Sequence, residues 1–113
     1  NEPVITHTKA ILSDGKMYDT SKAKELVSVR ELAIAYGVDV YRTYFVTENG
    51  RYFSAEKTVD LRKWFNLPAN AEIQTMYVGY DDLRMESKPT VKEIIGKNNI
   101  ELYKELFGEV EEA

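Results

Sequence analysis

One dipeptide constrains this chain more than any other. Asn49-Gly50 sits between residues 38–47, dense in β-branched and aromatic side chains, and the run Tyr52-Phe53-Ser54. Asn-Gly is the strongest short-range hairpin signal, because both residues tolerate the positive φ of a type I′ turn. A two-residue loop predicts a register in which Glu48 opposes Arg51, Thr47 opposes Tyr52 and Val46 opposes Phe53. Alternation then places Val38, Val40, Tyr44, Val46 and Phe53 on a core face that Arg42 shares. Asp39, Tyr41, Thr43, Thr47 and Tyr52 fall on the other. Asp14-Gly15 repeats the signal after residues 4–12 and predicts Leu12 opposite Met17 and Ile11 opposite Tyr18.

Between the hairpins, Ala23, Leu26, Val29, Leu32, Ala33 and Tyr36 recur at steps of three and four. That spacing predicts helix, with Asp19, Thr20 or Ser21 at its start, Ser28 and Glu31 as an internal capping box, and Gly37 as its stop. A short helix over 59–66, capped by Thr58, would bury Leu61, Trp64 and Phe65 and end at Leu67-Pro68. Residues 72–80 alternate as a further strand, and residues 81–89 read as a loop. Thr90 with Glu93 caps a helix to Ile95, residues 96–99 break it, and a last helix over 99–107 buries Leu102, Tyr103, Leu106 and Phe107 before Gly108. The expectation is one α+β domain over 1–113, a mainly antiparallel sheet built from two β-hairpins and a further strand, with helices packed on one face.

With 113 residues the chain is one domain's worth of sequence, and no apolar run nears the ~20 residues that span a bilayer. No cysteine and a single histidine, His7, exclude thiolate sites, Cys nucleophiles and multi-His metal sites. No cofactor and no metal are expected. The opening Asn-Glu-Pro-Val has no basic or apolar signal-peptide region, and the lack of cysteine fits the cytoplasm. The net charge of −4 is placed unevenly: residues 101–113 hold Glu101, Glu105, Glu109, Glu111 and Glu112 against Lys104 alone. The acidic end after Gly108 argues against direct nucleic-acid binding, which needs a basic face.

Catalytic readings are thin. His7 would need a nucleophile and an orienting acid. Ser13 and Ser54 are available, but neither lies in a nucleophile-elbow motif. Asp81 and Asp82 follow Tyr80 as paired acids that could hold Mg²⁺ in a polymerase-palm-like run, but the spacing is wrong and a turn role fits better. No catalytic residue is assigned. Residues 28–46 can also be threaded as a helix-turn-helix, the alternative being a small DNA-binding regulator, with a His7-dependent hydrolase behind it. The second helix of that thread would consist of strand formers. Tyrosine is the less ordinary feature, with eight in the chain. Tyr41 and Tyr52 share the non-core hairpin face, and tyrosine is enriched at interfaces. The candidate partner-binding residues are Tyr41, Glu48, Arg51, Tyr52, Tyr80, Asp81, Asp82, Glu109, Glu111 and Glu112.

Three motifs carry a resemblance. Gly15-Lys16-Met17-Tyr18-Asp19-Thr20 is followed by an alanine-containing segment. Tyr41-Arg42-Thr43 leads to Asn49-Gly50-Arg51-Tyr52-Phe53. Leu102-Tyr103 precedes Leu106-Phe107-Gly108 and the glutamates. The chain resembles a family of small phage and mobile-element proteins with Tyr-Asp-Thr, a Gly-x-Tyr/Phe-Phe run and Tyr-x-x-x-Phe-Gly near an acidic end. The match covers about two-thirds of the chain as scattered short motifs and departs from the pattern between Ser54 and Pro89, where the family has a glycine-rich stretch. Such proteins are often accessory factors, and some resemble inhibitors of host defence, anti-CRISPR proteins among them. The resemblance implies a non-enzymatic protein-binding module, an inhibitor of a host nucleic-acid-binding defence protein. Acids on a rigid surface would compete there for the Lys and Arg that grip phosphates.

Overall fold

The computed structural model describes residues 3–35, 37–61 and 76–113. The elements run β1 (Val4–Thr6), β2 (Lys9–Ile11), β3 (Met17–Asp19), β4 (Lys24–Ala35), β5 (Val38–Val46), β6 (Tyr52–Asp60), β7 (Tyr77–Glu86), α1 (Lys88–Asn98) and α2 (Ile100–Phe107). Five strands form a sheet in the order β1-β7-β6-β5-β4, and β2-β3 stand apart as a separate pair. The fold is α+β. The sheet is mixed, because β1 joins β7 in parallel while the other pairings are antiparallel. Among the described residues no helix is long and apolar enough to cross a membrane.

Both faces of this sheet are covered. On one, Phe45, Phe53, Ala55, Val78 and Tyr80 meet Tyr18 of the β2-β3 hairpin. The Phe45 and Phe53 rings stack at 4.9 Å and Tyr18 meets Phe53 edge-on. On the other face Leu26 packs with Val91 and Ile95 of α1, and Tyr44, Val46 and Tyr52 of the sheet and Leu102, Tyr103 and Phe107 of α2 pack against that cluster. A strand covered on both sides needs apolar residues at both parities, which β5 and β6 supply.

Both turns are wider than a two-residue loop. The Thr47 amide bonds Arg51 O at 2.8 Å and the Gly50 amide bonds Thr47 O at 2.9 Å. At the first hairpin Leu12 pairs with Lys16 and the Gly15 amide bonds Leu12 O in the same way. Only the glycines, at φ 75° and 79°, take the left-handed region, so Asp14 and Asn49 do not form type I′ turns. Each loop is a type I turn closed by a left-handed glycine. Thr47 Oγ1 rewards the wider loop by accepting the Arg51 amide at 3.1 Å. One extra loop residue slips the register by one. Val46 now opposes Tyr52, Phe45 opposes Phe53, Ile11 opposes Met17 and Ala10 opposes Tyr18. Phe53 therefore leaves the face of Val46, and Tyr52 joins it.

The helix expected between the hairpins is strand β4. Its pairing with β5 is regular except at three shifts, between Glu25 and Val27, Arg30 and Leu32, and Ala33 and Ala35. Each bulge adds a residue and resets the alternation. Leu26, Val29 and Leu32 thus lie three apart on one face of a bulged strand, the same spacing a helix would give. The helix-turn-helix thread loses both its helices, because residues 28–35 lie in β4 and 39–45 in β5.

Three other expectations move. Thr58 to Asp60 continue β6 opposite Val40, Asp39 and Val38 rather than opening a helix, while Trp64, Phe65 and Pro68 lie outside the described residues. Of the strand expected over 72–80, residues 72–75 also lie outside them. Residues 81–86 are not loop but the second half of β7, paired to β6 across a bulge. Helix α1 is capped by Ser87, whose side chain accepts the Thr90 amide, and runs through Gly96 to Asn98. A Cβ at Gly96 would lie 3.5 Å from the Tyr103 ring, in ordinary contact, so Gly96 faces α2. Asn99 caps α2 through Leu102 N at 3.0 Å, and Gly108, at φ 95°, ends it as expected.

Candidate functional site

The acids of the C-terminal end stand on a supported surface. Leu102, Tyr103 and Phe107 anchor α2 against the cluster of Val91 and Ile95 from α1 and Leu26 from β4. Lys92 lies 5.1 Å above the Phe107 ring and 5.8 Å above Tyr103, while Lys88 lies 5.9 Å above Phe107. That anchoring leaves Glu101 and Glu105 exposed on α2, with Glu109, Glu111 and Glu112 exposed beyond Gly108. The chain turns back there, and Val110, Glu111 and Glu112 wall an open cleft of about 340 Å³ with Ile100, Tyr103 and Lys104.

The tip of the β5-β6 hairpin presents Glu48 and Arg51 to solvent. Tyr52 is half-buried on the helix-covered face. Tyr41 pairs with Lys57, so by alternation it belongs to the opposite face, and the two tyrosines do not share a surface. Glu48 lines a cleft with Met17, Asp19 and Lys22, and Arg51 and Tyr52 line a second with Glu86 and Lys88.

The structure separates Tyr80, Asp81 and Asp82. Tyr80 is 7% exposed and belongs to the core. Asp81 is exposed on β7. Asp82 occupies the bulge at φ 50°, the only non-glycine with positive φ among the described residues. The bulge turns its carbonyl to Arg42, which donates from Nη2 at 2.6 Å and from Nη1 to Asp82 Oδ2 at 3.2 Å. Arg42 Nε donates to Ser54 Oγ at 2.9 Å, and Ser54 Oγ donates to Glu86 Oε2 at 2.6 Å. Arg84 holds Asp82 Oδ2 from outside at 2.7 Å. The Arg84 bond, then the charge of both arginines, keeps the Asp82 carboxyl below its usual range. With that carboxylate taken by two cations, the pair Asp81-Asp82 does not present two free acids to Mg²⁺. Among the described residues no three of His, Asp and Glu converge as metal ligands.

A second polar group lies on the hairpin-covered face. Glu25 accepts from Lys57 Nζ at 2.9 Å, Tyr80 Oη at 3.0 Å and Ser28 Oγ at 3.1 Å. Burial pushes the Glu25 carboxyl up, but Lys57, Tyr80 and Ser28 outweigh it and hold it below its usual value. Burial also lowers Lys57, and its bond to Glu25 reverses that. Burial and the neighbouring Glu25 charge raise the Tyr80 hydroxyl. Above Tyr80 the His7 ring stacks at 5.3 Å and 7°. His7 lies in the link between β1 and β2, not on a continuous strand. His7 Nδ1 lies 3.0 Å from Thr20 Oγ1, which also accepts the Thr8 amide at 3.0 Å and reaches Thr8 O at 3.2 Å. Neither candidate serine meets His7. Ser13 bonds Met85 Sδ and Ser54 bonds Arg42 and Glu86.

Reading β4 as helix hid Glu25, because its partners Lys57 and Tyr80 become neighbours only when β4 pairs with β5. The legible signal for Arg42 was a lone cation at a core parity in β5. Compared with known proteins, the chain matches no family model, no curated protein sequence and no solved structure.

Proposed function

We propose that this chain is a non-enzymatic protein-binding module of phage or mobile-element type. It inhibits a nucleic-acid-binding protein by occupying that protein's cationic site. The observation that carries the reading is the display of Glu101, Glu105, Glu109, Glu111 and Glu112 on a helix packed against α1 and Leu26 and on the segment that returns along it. Acids held in place lose little freedom on meeting Lys and Arg, and their summed field steers a basic partner toward them. Glu48 and Arg51 at the hairpin tip, with the exposed Asp81, are the second candidate contact.

The test exposes immobilised chain to nuclease-treated bacterial lysate, beside a variant with all five glutamates changed to Gln. The expected result is a nucleic-acid-binding protein held by the unmodified chain, released as salt rises, and blocked from its nucleic acid by the free chain. Equal capture by both forms, or capture of nothing, overturns the reading.

A further inference from the structure

The cleft beside the acids is lined in part by apolar side chains. Its lining includes Tyr103 and the aliphatic side chains of Ile100 and Val110, which are 62% and 56% exposed. Large aliphatic side chains this exposed, grouped and rimmed by charge, mark contact sites on soluble proteins. Its volume of about 340 Å³ is of the size that takes a compact apolar group. Glu111 and Glu112 stand on the rim, and Glu101 and Glu105 each follow a lining residue, Ile100 and Lys104, along α2.

We propose that this cleft seats one apolar side chain of the partner, carried in a basic segment whose Lys and Arg lie against the surrounding glutamates. The inference rests on the reading above that the acidic end meets a cationic protein, and it adds how that partner is anchored and oriented. Charge complementarity selects the occupant. Residues 101–113 carry five acids against Lys104, so a flanking segment of like sign is repelled and one of opposite sign is drawn in. A buried apolar anchor inside a charged rim also matches how interfaces concentrate their affinity.

Two fluorescent peptides of equal charge test it. Each has arginines flanking a central position, occupied by leucine in one and serine in the other. At low salt the leucine peptide is expected to bind about tenfold tighter. Ile100→Gln with Val110→Gln should remove that difference and leave the serine peptide's affinity unchanged. Lys104→Ala should tighten both. On the unmodified chain, the leucine peptide should shift the Tyr103 ring resonances and the serine peptide should not, a readout that does not depend on the variants folding. Equal affinity of the two peptides, or no shift at Tyr103, overturns the anchor and leaves the acidic reading standing. Binding of neither peptide at low salt overturns both.

Discussion

The sheet carries a polar group on each face, and the two are built on different terms. On the helix-covered face the Arg42 side chain is 7% exposed and is held by fixed acceptors, two of them backbone carbonyls. On the hairpin-covered face the Lys57 and Glu25 side chains keep 21% and 36% of their exposure, and their bonds are between side chains. A cation out of water needs several acceptors already in position, because its solvation must be replaced in full. The bulge at Asp82 supplies one by turning a carbonyl off the ladder, at the cost of a left-handed residue. The Glu25 pair keeps access to water and draws on side chains alone. Among the described residues no buried side-chain nitrogen or oxygen lacks a partner, so both solutions are complete.

The widest separation between the two groups should appear on truncation. Arg42→Ala strands the Asp82 carbonyl and the Ser54–Glu86 pair, and should cost about 3–5 kcal/mol in urea unfolding. A loss under 1 kcal/mol would place Arg42 with the solvent-screened ion pairs and erase the contrast.

Glu25→Gln should cost only about 1 kcal/mol, since Glu25 and Lys57 keep access to water and a Gln carbonyl can still accept from Tyr80. Its cost should also depend on pH. The folded-state pKa of Glu25 is depressed, so its contribution is present above the unfolded glutamate value of about 4.3 and is lost as pH falls through the folded value. Stability curves of the unmodified chain and Glu25→Gln should therefore converge on acidification. Curves that stay parallel down to about pH 3 would remove the carboxylate from the account.

The smallest effect is the coupling between the groups. They share no hydrogen-bond partner, so the double variant Arg42→Ala with Glu25→Gln should be additive to within about 0.5 kcal/mol. A larger deviation in the double-mutant cycle would mean that the strands between them transmit strain.

These groups also mark how much the sequence could say. Strand composition made β5 and β6 legible, and the glycine turns made their pairing legible, but loop width was not. Asn49-Gly50 suits a two-residue loop by itself, and the bond from Arg51 N to Thr47 Oγ1 favours three. That single residue decided which face Tyr52 and Phe53 occupy. In β4 the strand is disguised for a different reason, since its three bulges imitate helical spacing. The bounds of α2 were legible because Asn99 and Gly108 act locally, within one turn of the groups they satisfy, whereas α1 starts earlier and runs through Gly96, and Leu106 is exposed rather than buried. The acidic end was equally plain, a fact of composition. The cleft beside it was not, because it needs the chain to reverse after Gly108.

The bulges of β4 have a bearing on the protein's solubility. This strand of 12 residues ends the order of the described sheet, where a long flat edge would offer unpaired amides and carbonyls to any passing strand. Three interruptions break the edge into pieces too short and too twisted to template a neighbour. Lys24, Arg30 and Glu31 add charge along it, all exposed. The irregularity that disguised the strand as a helix thereby also guards the crowded, apolar-rich sheet against stacking edge to edge into fibres.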